Sequence, residues 1–253
     1  MTVQYGILGS GSKANAYIFS YHGFSFVVDN GYSFKEFSRR ADSLGFNTTE
    51  IGACFLTHMH SDHSKGIPVF SRKLGVPVYM HRNNRFSPSV NIKNVVRKPI
   101  SHGESVSLRG LKIRSFRTYH DSPNSMSFSF EFGGKCFSII TDTGKIDTEM
   151  TRIAGKSDVL FLEANYCVDL LRNGPYPIDL QERIDSDHGH LSNSEAIQFL
   201  NILGSKGFSG DVYFCHLSEN NNSPETLQSQ IDQYLRWNGS YTICPRDKMV
   251  LGA

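Results

Sequence analysis

Short apolar runs separated by polar turns recur along the chain. Val3 to Leu8, Asn15 to Ser20, Phe24 to Asp29, Ile51 to Leu56, Val76 to Met80, Leu111 to Thr118, Cys136 to Ile140, Val159 to Leu162 and Val212 to Cys215 have the length and composition of strands. Met126 to Phe132 alternates strictly between apolar and polar, as a strand with one buried face does, and Gly133-Gly134 turns it back into the next run. Tyr21-His22-Gly23 joins the second and third runs as a hairpin. Helical spacing appears in Phe34 to Leu44, in Ser64 to Leu74 before the stop at Gly75, in Ser192 to Leu203 and in Pro224 to Trp237. Ser223 is placed to cap the last of these, with Pro224 in its first turn. The pattern predicts mixed α and β structure.

Several strands end in the same kind of residue. His58, His120, Asp142, Glu163 and His216 each stand just past an apolar run, and strand ends gathered along one sheet edge make a rigid support for a site. The densest chemistry is Thr57-His58-Met59-His60-Ser61-Asp62-His63, three imidazoles and a carboxylate in seven residues. Such groups are costly to bury without partners. In an extended segment residues two apart point the same way, so His58 and His60 can reach one ion together. Asp62 and His63, where the chain bends into a helix, can serve a second. Imidazole and carboxylate without thiolate suit zinc, iron or manganese, in an open rather than a closed structural arrangement.

At 253 residues with 39% hydrophobic content, the chain is long enough for a substantial core, and it reads as one domain, residues 1–253. Five cysteines, odd in number and without a Cys-x-x-Cys pair, fit a reducing compartment. No run approaches the roughly 20 apolar residues of a membrane helix, and the start has no basic segment followed by an apolar one. A soluble, cytoplasmic protein is expected. The net charge of +2 says little, but no Asp or Glu falls between His63 and Gly103, where Lys65, Arg72, Lys73, Arg82, Arg85, Lys93, Arg97 and Lys98 lie. That stretch could guide a polyanion or form a solvated basic face.

The set Thr57 to His63, Tyr119-His120-Asp121, Thr141-Asp142-Thr143-Gly144 and Cys215-His216-Leu217-Ser218 resembles the successive metal motifs of the metallo-β-lactamase-fold hydrolases. The resemblance implies an αββα sandwich with two mixed sheets flanked by helices, and a binuclear site at one sheet edge. It implies His58, His60 and His120 as ligands of a first divalent ion, zinc or manganese. Asp62, His63 and His216 become ligands of a second, with Asp142 bridging. Leu8 to Ser12, Leu162 to Tyr166, Leu171 to Pro177, Gly189 to Asn193 and His216 to Asn221 resemble the YycJ/WalJ group, described as DNA exonucleases acting from the 5′ end.

The resemblance makes a nuclease the leading expectation, with nucleic acid, DNA foremost, as substrate. Two ions about 3.5 to 4 Å apart can share a hydroxide as nucleophile. Asp62, Glu163 and His190 are expected to carry catalysis, His190 as general acid and Glu163 holding its tautomer, although Glu163 and His190 could instead only orient metal ligands. His188 is a competitor for the acid's role. Ser10, Gly11 and Ser12 could offer backbone N–H groups to an anion or form an ordinary turn. Ser192 and Asn193 could touch phosphate or cap a helix, and Arg82 and Arg85 could contact the strand. His22, His81 and His102 read as surface or packing residues and Trp237 as core. A hydrolase of small esters, lactones, thioesters or cyclic phosphodiesters is the alternative. A non-catalytic binding subunit is disfavoured by the complete ligand set.

Overall fold

A computed structural model describes residues 2–252. The strands are β1 (Gln4–Gly9), β2 (Ala16–Tyr21), β3 (Phe24–Val28), β4 (Ile51–Phe55), β5 (Val78–His81), β6 (Arg97–Ile100), β7 (Ser105–Leu108), β8 (Leu111–Arg117), β9 (Met126–Phe132), β10 (Lys135–Ile140), β11 (Val159–Glu163), β12 (Asp211–Cys215), β13 (Tyr241–Ile243) and β14 (Val250–Gly252). The helices are α1 (Phe34–Ser43), α2 (Ser61–Ser64), α3 (Ile67–Leu74), α4 (Thr148–Ala154), α5 (Val168–Arg172), α6 (Ile178–Ile184), α7 (Asn193–Ser205) and α8 (Pro224–Tyr234).

Two seven-stranded sheets form, in the orders β14-β1-β2-β3-β4-β5-β6 and β13-β12-β11-β10-β9-β8-β7. Each is half antiparallel and half parallel. In the first, β3, β4, β5 and β6 are parallel neighbours; in the second, β10, β11, β12 and β13 are. Parallel strands have their carboxyl ends on the same side, where open α/β sheets place their ligands. All of Asp29, His58, Asp142, Glu163 and His216 lie at or just beyond such ends.

The inner faces of the two sheets meet in an aromatic core. Phe19 stacks on Phe26 at 5.0 Å and meets Phe130 edge-on at 4.7 Å, while Phe130 stacks on Phe137 at 5.1 Å. Each fully buried Phe adds about 1.5–3 kcal/mol through area alone. Leu162, Leu200, Phe214 and Trp237 lie in a second core on the outer face of the β12 sheet, and Phe37, Leu56 and Phe70 in a third outside the β1 sheet. This is the αββα sandwich that the resemblance implied. Trp237 is buried, its indole N–H donating to the Phe208 carbonyl at 2.8 Å.

Three expectations about elements change. The helix expected over Ser64 to Leu74 begins at Ile67, as α3, with the one-turn α2 before it; Gly66 between them passes against the Asn30–Tyr32 backbone so closely that a Cβ would stand 1.9 Å from the Tyr32 carbonyl. The expected helix to Trp237 ends at Tyr234. The polar face of β9 is graded rather than uniformly wet: Glu131 is exposed, Ser129 half-buried and Ser127 buried, donating to the Ile139 carbonyl at 2.7 Å. All five cysteines are free thiols, and no helix among the described residues is long and apolar enough to cross a membrane.

Candidate metal centre

Beyond β4 the chain carries His58 into the interior, sets His60 at the start of α2 and puts Asp62 and His63 within that helix. His120 arrives from beyond β8, Asp142 from beyond β10, Glu163 from the last position of β11 and His216 from the residue after β12. Potential donor atoms within 4.8 Å of one another form overlapping sets: His58, His60 and His120; Asp62, His63 and His216; His58, His63 and Asp142; Asp142, Glu163, His190 and His216. Asp142 lies between the groups, its carboxylate 3.5 Å from His63 Nε2, 3.7 Å from His120 Nε2 and 3.5 Å from His216 Nε2.

The hydrogen bonds fix which nitrogen of each ring is free. His63 Nδ1–H donates to Asp29 at 2.7 Å, His120 Nδ1–H to the Gly189 carbonyl at 3.0 Å and His216 Nδ1–H to Glu163 at 2.9 Å. Thr57 donates its hydroxyl to Asp29 at 2.8 Å and accepts from His58 Nδ1–H at 2.9 Å. Each of these four rings therefore turns an Nε2 lone pair inward, and that of His63 accepts from the Asn15 side-chain amide at 2.9 Å. His60 is reversed: its Nε2 faces Asp121 at 3.3 Å and its Nδ1 lies 3.1 Å from His120 Nε2. Those two ring nitrogens stand close enough to share one cation or one proton.

Orphaned atoms point the same way. His58 Nε2, His216 Nε2 and Asp142 Oδ2 are buried without a hydrogen-bond partner, and unsatisfied buried polar atoms are rare without an ion, water or catalytic role. The donor set and these free atoms fit divalent cations. The local field agrees. Burial disfavours a charged ring at His216, yet Asp142 and Glu163 outweigh it and push the imidazole up to about 9. At His63 burial again opposes charge and is outweighed by Asp142, Asp29 and Asp62, which raise it well above the usual histidine range. His58 goes the other way, lowered by burial and by the imidazoles around it. Asp62 and Glu163 stay well below the usual carboxylate range and Asp142 is lowered too, despite burial, because imidazoles surround them. The carboxylates thus draw positive charge into the centre.

Backbone strain accompanies the chemistry. Asp29, Asp142 and His216 have φ of +59°, +56° and +59°, the left-handed region that non-glycine residues enter at a cost. The Gly189 carbonyl reaches His120 only because residue 189 has no side chain: a Cβ there would stand 2.1 Å from the Ile184 carbonyl.

His190 stands at the border of this centre. Its side chain is 19% exposed against 4% for His216, and its Nδ1–H donates to Glu163 Oε1 at 2.7 Å. The same Oε1 accepts from His216, so one carboxylate oxygen holds both a potential metal ligand and the expected acid. Glu163 Oε2 accepts from the Thr143 and Leu191 N–H groups. Beside His120 opens a cleft of about 510 Å³ whose lining includes His102, Arg117, Ser122, Asn124 and His188. His188 is exposed on its rim, and His102, expected only to pack, lines it as well as meeting His81 at 4.8 Å; His22 is exposed.

The expected substrate contacts fare differently. Ser10 is fully buried, its hydroxyl accepting from His216 N–H at 2.8 Å and paired with Tyr17. Gly11 N–H is taken by Asn15 Oδ1 at 2.9 Å, so the loop is not an anion nest, although Ser12 is exposed. Ser192 caps α7 in a reciprocal pair with Glu195, and Asn193 is buried, donating to Asn222 and Gln230. Arg82 is held by Glu104 at 2.6 Å, an acid just beyond the one-signed stretch, and Arg85 donates to backbone carbonyls of Arg82 and Asn84. Sequence reasoning missed Asp29 and Asp121, which orient rings through their nitrogens, and Asn165, which donates to the His216 carbonyl at 2.8 Å.

Comparison with known proteins agrees with the geometry. Residues 26–216 match the beta-lactamase superfamily domain. The chain is 30% identical over 242 residues to the exodeoxyribonuclease WalJ of Streptococcus pneumoniae serotype 2 strain D39, covering 91% of this chain and 88% of that one. It is 28% identical over 243 residues to the exodeoxyribonuclease YycJ of Bacillus anthracis, covering 94% and 91%. Among solved structures, the metallo-β-lactamase fold protein YhfI of Bacillus subtilis superposes with a TM-score of 0.73 at 15% identity over 99% of both chains. The short form of human tRNase Z superposes with a TM-score of 0.63 at 14% identity over 98% of both. Taken with the donor cage at the carboxyl ends of two facing sheets, these matches make the chain a member of the metallo-β-lactamase-fold hydrolase superfamily, within the WalJ/YycJ group.

Proposed function

We propose that this protein is a binuclear metal-dependent phosphodiesterase of nucleic acid, and most narrowly an exonuclease that trims DNA from the 5′ end. His58, His60 and His120 would hold one ion and Asp62, His63 and His216 the other, with Asp142 shared. Zinc and manganese both suit these donors. Bound there, the ions supply an activated water and neutralise the charge of a phosphate.

The observation that carries the reading is His190. A thioester expels a weakly basic thiolate that leaves unaided, whereas a sugar alkoxide needs a proton. His190 stands beside two of the donors, its ring centre 4.9 Å from that of His120 and 5.3 Å from that of His216, with Nδ1–H committed to Glu163, so Nε2 is the atom left to hold and deliver that proton. Glu163 orients the ring and faces its positive charge. The polar, donor-rich cleft also favours an anionic chain over an apolar acyl group. The two homologous exodeoxyribonucleases support DNA as the substrate class. A cytoplasmic setting keeps the five thiols reduced.

The test is a panel of 5′-labelled single and double strands of DNA and RNA, set beside bis(p-nitrophenyl) phosphate, a thioester and a lactone, with added zinc or manganese. Cleavage of DNA from the labelled end, abolished by chelator, is expected. Turnover of the thioester or lactone without the strands would overturn the proposal.

A further inference from the structure

One charge in the cleft has no partner. Arg117, the last residue of β8, lines the cleft, and its guanidinium carbon lies 5.5 Å from the centre of the Tyr119 ring. Among the described residues it makes neither an ion pair nor a side-chain hydrogen bond. The cations around it are all engaged: Arg183 with Asp121 at 2.7 Å, Lys145 with Asp187 at 2.6 Å, Arg114 with Glu149 at 3.5 Å. Asp121, the carboxylate in the cleft wall, is held by Arg183 and turned to His60 and His120 at 3.3 and 3.4 Å. Asp121, the carboxylate that lines the cleft, is therefore already taken.

Tyr119 gives that arginine a fixed bed. Its ring carries Lys145 at 4.6 Å as well as Arg117, and its hydroxyl donates to Asp147 at 3.1 Å. A guanidinium resting on an anchored aromatic ring loses little further freedom on binding, and its planar fork suits two phosphate oxygens. Its strand leads directly to His120, three residues on. The cleft, at about 510 Å³, has room for more than one phosphate group.

We infer that Arg117 anchors a second phosphate of the substrate, adjacent to the one being cleaved, and so makes the site selective for a polynucleotide over an isolated diester. This rests on the phosphodiesterase reading above. The same residue, not Arg82 or Arg85, then supplies the phosphate contact nearest the metal centre.

The experiment is a double cycle on the metal-loaded enzyme, with Arg117→Ala against oligonucleotides carrying one neutral methylphosphonate linkage beside the scissile position. Arg117→Ala is expected to raise KM for the unmodified strand about tenfold or more, as loss of a charge-assisted contact does. It should lower the salt dependence of strand binding by about one phosphate. One methylphosphonate position should cost the native enzyme the same factor and cost the variant nothing more, and Arg117→Lys should recover part of the loss. On bis(p-nitrophenyl) phosphate, which has no second phosphate, the loss should be at most about threefold. Equal losses on both substrates, or additive effects of variant and methylphosphonate at every position, would overturn the inference while leaving the nuclease standing. A native enzyme that cleaves neither substrate would overturn the phosphodiesterase reading, and the inference with it.

Discussion

The two sheets furnish the centre in opposite ways. The β1 sheet delivers His58, His60, Asp62 and His63 from one stretch beyond β4, whereas the β12 sheet delivers His120, Asp142, Glu163 and His216 at or beyond the ends of four different strands. The first group is a local object, held by a short helix and by Asp29, which accepts from the Thr57 N–H, the Thr57 hydroxyl and His63. The second is global. Glu163 faces Cys215 in the parallel register of β11 and β12, so His216 reaches the Glu163 carboxylate only while that register holds. The local group can persist through small shifts between sheets; the other is a readout of correct assembly.

Substitutions that break one side and spare the other sharpen this contrast. The largest effect is expected from Asp142→Ala, because Asp142 faces donors from both sheets. Both ions should be lost and turnover should fall about 1,000-fold or more, given several kcal/mol of charge stabilisation from the metals. His60→Ala, which touches one donor set, should cost one ion. Elemental analysis of the two variants separates them, and equal metal content would show that Asp142 joins nothing.

A smaller effect belongs to the proton donor. His190→Ala should slow cleavage of a nucleotide diester roughly 100-fold, and slow bis(p-nitrophenyl) phosphate far less, because nitrophenolate leaves without a proton. Glu163→Gln does not isolate this role, since the same oxygen holds His216; it should lower metal affinity as well as the rate on the nucleotide. If His190→Ala loses an ion and slows both substrates equally, His190 orients the centre rather than protonating the leaving group.

The smallest effect should fall on the local side. Asp29→Asn keeps the shape but weakens the acceptor for His63 and Thr57, and changes to such outer partners cost about 10–100-fold in metal affinity. Titration with a divalent ion should show one of two steps weakened while the other holds. Weakening of both steps together would mean that the β4 loop is no more local than the donors of the facing sheet.

The same contrast governs what could be read from the chain. Apolar runs ending in His, Asp or Glu are visible one at a time, so the strand-end residues stood out before any fold was known. Asp29 did not, because an Asp-Asn-Gly sequence after a strand has the appearance of an ordinary turn. Ser10, Ser192 and Asn193 leave two readings open in the sequence, because a polar side chain does not reveal whether its partner is a ligand or the protein itself. All three are consumed internally. Helix α6 was invisible for a different reason: it buries none of its residues and so leaves no hydrophobic period. The three-residue strands β13 and β14 are too short to show one. Arg117 carries no signal in the sequence, because whether a basic side chain finds a carboxylate depends on the fold.

The three left-handed residues carry a lesson about strain. At about 1 kcal/mol or more each, Asp29, Asp142 and His216 together hold strain comparable to a sizeable part of a typical folding margin. Glycine at any of them would relax the backbone and delete a group of the centre in the same step. The relief would be outweighed by the buried donors left without partners, which at Asp29 are the Thr57 N–H, the Thr57 hydroxyl and His63, at about 1–3 kcal/mol each. The hydrogen bonds that aim the centre are thus also what keeps its backbone in the strained conformation.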